Sequence, residues 1–392
     1  MADETSPKPS SGRQSPIETA PTQPLIAADS PPAEGDNRDD SAFLLDEDNA
    51  SSTASISSSI LEYRTIHGRT FHSEKHNTQY FTPNDEKQNE SLDIVHHYLT
   101  LLLDGKLHLA PLKENIQVRA CVWPQRTVAD RLYHSESARC WLWKWNMGNV
   151  RISTSWLTYG HALTNTGSDF GDAHPNAEVT GIDLSPMQPT WVPPNVKFLV
   201  DDATQPWTWP DNSFDYVHIR FLNGALKDWP ALFREAYRVC KPGGYVESGE
   251  FDPRYYCDDG TAADEDTIKV WNSVFEEGGK KLGHSFTVIE DGLQETGIRE
   301  AGFEDIKAFP FKAPVGGWTL DEKLAEIGRF TQLTLENDME GYTLFLWTSI
   351  LGWPQDEYQV FLAKMRRIMR NTRSIHIYCK YKYVYGRKPE TE

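Results

Sequence analysis

From Glu178 onward the chain alternates short apolar strands with helix-length amphipathic segments, and this alternation restricts the fold more than any other feature. Val179–Asp183, Val196–Val200 and Phe214–Ile219 are apolar or β-branched runs that each end at polar residues. A helical stretch closes at Tyr237–Cys240, the turn Lys241–Gly244 breaks it, and Tyr245–Ser248 begins another strand. Strands and helices alternating at this spacing predict an α/β fold, a mostly parallel sheet with helices on both faces. Helical periodicity recurs at 267–282, 321–338 and 354–370, and the β-branched, aromatic stretch Ser374–Tyr385 is expected as a late strand closing a hairpin. Upstream, Asn84 and Asp85 are placed to cap a helix running to Asp104, with Leu92, Val95, Leu99, Leu102 and Leu103 at helical spacing.

Composition divides the chain. Residues 1–60 hold 11 acidic and 3 basic side chains, seven prolines and two Ser-rich stretches. Too few apolar groups are present to offset the entropy of ordering, so this segment reads as a disordered, solvating tail, and 61–392 as the folded domain. With 57 acidic against 39 basic residues the chain carries a net charge of −18, which argues against direct nucleic-acid binding, since phosphate recognition runs on Lys and Arg. No apolar run approaches the ~20 residues that a membrane span requires. The polar, acidic start lacks the marks of a secretory or transit peptide, so a cytoplasmic or nuclear protein is expected. Five scattered cysteines give neither a disulfide framework nor a metal-binding spacing, and no metal site is expected.

Three runs, Asn176–Pro186, Val196–Ala203 and Pro210–His218, resemble the class I S-adenosylmethionine-dependent methyltransferases. A narrower set is similar to the fungal LaeA-like methyltransferases: Tyr63-Arg64, Gly68–Thr70, Pro83–Glu86, His96-His97, Leu103–Pro111, Gln188–Pro194, Phe221–Gly224, Lys227–Trp229 and Lys241–Gly244. Each motif is short; their order and spacing over roughly 61–385 carry the resemblance. It implies a Rossmann-like, seven-stranded, mostly parallel sheet, S-adenosyl-L-methionine as cofactor, and a small hydrophobic acceptor from fungal secondary metabolism. In doubly wound folds ligands bind beyond the carboxyl ends of the strands, and an acid ending the second strand hydrogen-bonds ribose hydroxyls. Asp183 occupies that position. Asp201, Asp202 and Ala203 follow the next strand, where the adenine is held, and a carboxylate there would accept its amino hydrogens. The competing reading of Asp183 is a helix N-cap, and that of Asp201 and Asp202 a solvated loop.

One segment does not match. The family has a Gly-rich loop between its first strand and first helix, where backbone approaches the methionine end of the cofactor and side chains would obstruct it. Here Val118–Ser168 intervenes, 51 residues with five of the 13 tryptophans, six Lys or Arg and two acids. Tryptophan has a single codon, TGG. Read one nucleotide later, Cys140–Gly148 becomes [Val/Ala]-Gly-x-Gly-[Ser/Asn]-Gly-[Thr/Ile]-Trp, which reproduces the missing loop where it belongs. The segment therefore reads as retained intron or frame-shifted coding sequence, with the frame resuming at Asp169. The alternative is a genuine Trp-rich insertion, although structureless loops this long are uncommon in compact domains.

Methyl transfer rests mainly on positioning, and a base is needed only where the acceptor must lose a proton. His218, Arg220, Asn223, Glu247 and Glu250 lie near strand ends, and no one of them stands out as a base. His96 and His97, adjacent on a helix, point apart and make no metal site. Trp271, Phe275, Trp318, Phe330, Phe345, Trp347 and Trp353 are candidates for an apolar acceptor pocket or ordinary core. Lys364–Arg370 reads as a nuclear address or a solvated helix face. Without its Gly loop the chain has a second reading, a catalytically silent pseudo-methyltransferase acting on pathway or regulatory protein partners.

Overall fold

A computed structural model describes residues 63–72, 80–112, 166–184 and 192–390, together with the backbone of Glu18–Thr19 and Arg119–Val122. The strands are β1 (Glu18–Thr19), β2 (Arg64–Ile66), β3 (Arg69–Phe71), β4 (Arg119–Val122), β5 (Glu178–Asp183), β6 (Val196–Val200), β7 (Phe214–Arg220), β8 (Cys240–Tyr256), β9 (Glu304–Pro314) and β10 (Tyr378–Arg387). The helices are α1 (Glu86–Leu102), α2 (Thr166–Ala173), α3 (Trp229–Val239), α4 (Asp266–Leu282), α5 (Leu293–Glu300), α6 (Glu322–Asp338) and α7 (Gln355–Arg370), with a π-helical turn at Phe345–Ile350.

The main sheet runs β1-β9-β10-β8-β7-β4-β5-β6. All its ladders are parallel except those of β10, which lies antiparallel to both β8 and β9. The sequence predicts seven strands; among the described residues the sheet has eight, because the Glu18–Thr19 backbone pairs with Lys307 and Ala308 at the outer edge. That pairing also departs from a wholly disordered tail, and the rest of 1–62 lies outside the described residues. The late strand is not one arm of a simple hairpin but a reversed strand inserted between two others. The sequence pattern also passes over β9, which carries Lys307, Pro310 and Lys312 within an outer strand and so lacks a clean apolar alternation.

Local signals account for the helix ends. Asp85 Oδ1 accepts the Gln88 N–H at 3.1 Å and opens α1. Asp228 caps α3 through the Ala231 N–H, with Pro230 in the first turn, and Asp321 caps α6 through the Leu324 N–H, both at 2.8 Å. Gly283, in the left-handed region at φ 71°, terminates α4. The β2–β3 hairpin turns on His67 and Gly68, both with positive φ, a geometry that follows the twist of the strands.

Alternation along the strands sends side chains to two layers. Val217, Ile219, Val246, Ala308 and Val384 face α3 and α5 in one core. On the other face Tyr255, Cys379 and Tyr381 meet α1, α4, α6 and α7 in a larger, aromatic core around Trp271, Phe275 and Trp347. Phe170 of α2 covers the same face farther along, stacked on Tyr216. The basic run of α7 is the outer side of an amphipathic helix: Met365, Ile368 and Met369 are buried while Lys364, Arg367 and Arg370 are exposed. No described helix is long and apolar enough to cross a membrane.

Candidate active site

The parallel strands β4 to β8 end along one edge. There β5 delivers Asp183, in register with Val200 at the end of β6, and the Asp183 carbonyl accepts the Asp201 N–H at 3.0 Å. This bond sets the two acids side by side, both half-buried. Asp202 is buried, and its Oδ1 accepts the Thr204 backbone N–H at 2.9 Å and the Thr204 hydroxyl at 2.8 Å, so this carboxylate shapes the turn. The Ala203 carbonyl accepts from Trp207 Nε1 at 3.2 Å, and Asp201 Oδ1 accepts the Asp202 N–H at 2.8 Å. Of the four residues selected by sequence, Asp183 and Asp201 thus present carboxylates at the edge, while Asp202 and Ala203 build the loop beneath them. The N-cap reading of Asp183 turns on the residues after Leu184, and 185–191 lie outside the described residues.

The central strand position belongs to Arg119–Val122, between β5 and β7. The anomalous segment therefore supplies a strand backbone at its start, and α2 begins at Thr166, three residues before the expected return of the frame. Residues 123–165, which stand where the Gly-rich loop is expected, lie outside the described residues.

Beside the edge, α1, β7 and β8 hold a row of buried polar side chains. Arg220 Nη1 donates to His96 Nδ1 at 3.5 Å, which leaves the His96 proton on Nε2, 2.7 Å from Asp169 Oδ2 at the start of α2. His218 lies 2.9 Å from the Tyr216 hydroxyl and 3.5 Å from Glu247 Oε1, and burial holds the imidazole below its ordinary pKa, in the neutral form. Glu247 Oε2 in turn accepts the backbone N–H groups of Leu109 and Ala110, at 2.8 and 2.6 Å, and ties the segment after α1 to the sheet. Glu250 accepts the N–H groups of Leu222 and Asn223, each at 3.0 Å, and burial pushes its carboxyl up to about 8. His97 points the other way, onto Phe330 at 4.5 Å, where burial pushes its pKa down to about 4. These groups are held by neighbouring side chains or by backbone N–H groups, as in a frame that orients rather than a free general base.

Immediately beyond β7, Phe221 and Asn223 open onto a cavity with about 740 Å³ of empty space, part of it continuous with solvent. Gln88, Leu92, Val95 and Tyr98 of α1 form one wall, Phe251 and Tyr255 of β8 with Tyr381 of β10 another, and Trp271 and Phe275 of α4 a third. Tyr80, Phe81 and Thr82, the segment leading into α1, complete it. Of the seven aromatic residues proposed from sequence only Trp271 and Phe275 reach the cavity. Phe345, Trp347, Trp353 and Phe330 belong to the packed core, and Trp318 stacks on His376 at 4.7 Å. The tyrosines of α1, β8 and β10 escape sequence reasoning because they share the helical or alternating spacing of ordinary core positions.

Most of the chain is matched by known proteins. Residues 164–308 match a family model described as a methyltransferase domain. "Methyltransferase pytC" of Aspergillus terreus is 32% identical over 344 residues, covering 87% of this chain and 93% of that protein. "Probable methyltransferase tdiE" of Emericella nidulans is 29% identical over 312 residues, 79% of this chain and 84% of its own. "Secondary metabolism regulator LAE1" of Cochliobolus heterostrophus is 27% identical over 326 residues, 82% of this chain and 94% of its own.

Proposed function

The chain belongs to the fungal LaeA-like family of S-adenosylmethionine-dependent methyltransferases, and on that premise we propose that it methylates a small hydrophobic acceptor in secondary metabolism. The observation that carries this reading is the pairing of Asp183 with Asp201 at the carboxyl edge of β5 and β6. The residues present fit the cofactor: half-buried carboxylates accept from ribose hydroxyls and from an exocyclic amine, and both groups belong to its adenosine half. Asp183 is assigned to the ribose. Asp201 is assigned to the adenine side, with Asp202 and Ala203 holding the loop. When bound, S-adenosylmethionine supplies an electrophilic methyl on a sulfonium. The chain contributes position: Phe221 and Asn223, just beyond β7, stand between that edge and the apolar cavity.

For Val118–Ser168 we propose that the natural product carries the frame-shifted Gly-rich loop. Three glycines ahead of α2 would let backbone approach the methionine moiety where tryptophans would obstruct it. Full-length transcript sequencing tests this, and a dominant message encoding 118–168 in frame would refute it. The function is tested by calorimetric titration of S-adenosylmethionine into two forms, the chain as written and one with the loop restored. The restored form is expected to bind at micromolar Kd, and Asp183→Ala to weaken binding at least tenfold. Absence of binding in both forms would favour the non-enzymatic reading, in which the chain acts on protein partners.

A further inference from the structure

The cavity beyond β7 has a chemistry that goes further than "hydrophobic". Half of its 20 described lining residues are aromatic, and none of these 20 is Asp, Glu, Lys, Arg or His. A ligand bearing a formal charge would lose its hydration there without a counter-charge, so the site excludes it. Most polar groups on the walls are already satisfied within the protein. The Tyr98 and Tyr381 hydroxyls share a hydrogen bond at 2.6 Å, Trp271 Nε1 donates to the Pro253 carbonyl at 2.8 Å, and the Thr331 and Thr334 hydroxyls each donate to a carbonyl one helical turn back.

Gln88 is the exception. It is 1% exposed, neither its Oε1 nor its Nε2 makes a well-formed hydrogen bond, and the polar group it faces, the Tyr342 hydroxyl, makes none either. Buried polar groups are nearly always paired, and this loosely joined amide–hydroxyl pair at the wall of a cavity is where a ligand oxygen would complete both. A primary amide has both a donor and an acceptor, the complement of a hydroxyl or of a carbonyl beside one. Gln88 stands at the opening turn of α1 and Tyr98 ten residues on, about 15 Å along the axis at 1.5 Å per residue. Tyr98 lies against Tyr381, which also meets Phe221, so the two ends of the cavity are the Gln88–Tyr342 pair and the β7 edge.

We propose that this cavity takes a neutral, flat aromatic acceptor of two or three fused rings, anchored at its far end by Gln88 and Tyr342 through a ring oxygen, with the methylated hydroxyl at the Phe221–Asn223 end. The proposal rests on the methyltransferase reading for its second half only. Among the described residues no carboxylate or imidazole lines the cavity, and burial raises the Tyr98, Tyr255, Tyr381 and Cys379 groups out of reach as bases. The acceptor hydroxyl must therefore supply its own acidity, as a phenol or enol does. In the transfer the hydroxyl oxygen forms a bond to the methyl carbon, the carbon–sulfur bond breaks with its electron pair going to sulfur, and the hydroxyl proton leaves to water.

The test uses the full chain and three probes followed by tryptophan quenching: 1,8-dihydroxyanthraquinone, anthracene and anthraquinone-2-sulfonate. The neutral quinone is expected to bind at least tenfold more tightly than the sulfonate. Gln88→Leu and the volume-conserving Gln88→Met should each weaken the quinone about tenfold, equivalent to about 1.4 kcal/mol, and leave anthracene within twofold. Unchanged anthracene binding also shows that the variants are folded. Equal binding of quinone and sulfonate, or equal effects of the variants on quinone and anthracene, would overturn the proposal, as would the absence of saturable quenching by any probe. Calorimetry with S-adenosylmethionine on the loop-restored chain separates the two readings. Cofactor binding without quinone binding sinks the acceptor class alone, and quinone binding without cofactor binding sinks the methyltransferase reading while the cavity's ligand class stands.

Discussion

Replacing Arg69 by methionine should cost this protein about 2–4 kcal/mol of stability. Arg69, on β3, donates from Nη1 and Nη2 to both oxygens of Asp338 at 2.8 and 2.7 Å, and from Nη2 and Nε to Asp85. The Asp338 side chain is fully buried at the end of α6 and that of Arg69 is 12% exposed, so one guanidinium fastens the hairpin to two helices. Removing one partner of a buried ion pair costs about 3–5 kcal/mol, because the remaining charge is left unpaired. Lys87 Nζ, 3.7 Å from Asp338 Oδ1 but half-exposed, returns about 1 kcal/mol at most. Asp85 faces solvent in part and retains the Gln88 N–H that it caps, which limits its share. Urea denaturation monitored by far-UV circular dichroism measures the loss. The mechanism makes a second demand: Asp338→Asn in the Arg69→Met background should recover at least half of it, since no buried charge then remains. A loss below about 1 kcal/mol, or no recovery in the double variant, would refute the argument that an unpaired Asp338 is the source.

Three further outcomes follow from particular contacts. Gly224 sits at φ 73°, and a Cβ there would meet the Phe286 ring at 2.2 Å, so Gly224→Ala should destabilise by about 2–3 kcal/mol in urea titration, with Phe286→Leu relieving only the clash. Glu250 is protonated in the folded protein up to about pH 8 but only to about 4.3 when unfolded, so the folded state holds the extra proton between these values. Its stabilisation is complete below the lower value and is lost as pH rises through the upper, and Glu250→Gln should flatten that fall when unfolding is measured from pH 4.5 to 8.5. The His96 proton assignment predicts that Asp169→Asn, which keeps an acceptor oxygen, disturbs the array less than Asp169→Leu, read as the difference in their denaturation midpoints.

Much of the sheet was legible because its signals are local. The strands Glu178–Asp183, Val196–Val200 and Phe214–Arg220 are bounded by turn residues within a residue or so of where the sequence sets them, and Asp85 and Asp321 cap their helices through their own carboxylates. The edge acids were legible for the same reason, since a parallel strand's last residue is fixed once the strand is. What could not be read depends on distant pairing. β10 is reversed between β8 and β9 by contacts more than a hundred residues apart, to Glu250 and Phe251 on one side. The cavity depends on the same long-range geometry. Tyr98 and Tyr381 look like core residues in their own segments, and only the hydrogen bond between them, across 283 positions, reveals a shared wall.

The turn after β7 is where the two halves of the site meet, and its backbone shows how. Phe221 is a bulky residue at φ 59°, a conformation that costs about 1–3 kcal/mol and survives only where its surroundings over-determine it. Here they do. Its N–H donates to the Gly249 carbonyl at 3.1 Å, its ring meets Phe251 edge-on at 5.0 Å, and the Arg220 guanidinium lies 5.2 Å from the ring centroid. Glu250 then takes the next two N–H groups, and Gly224 completes the turn in the same left-handed region. A strand that simply ended would carry the chain away from the sheet. This one folds back so that Phe221 and Asn223 face the aromatic cavity within four residues of the edge shared with Asp183 and Asp201. The strain is thus the geometric condition for placing an apolar chamber against a polar strand edge, and β8, through Gly249, Glu250 and Phe251, is the element that sustains it.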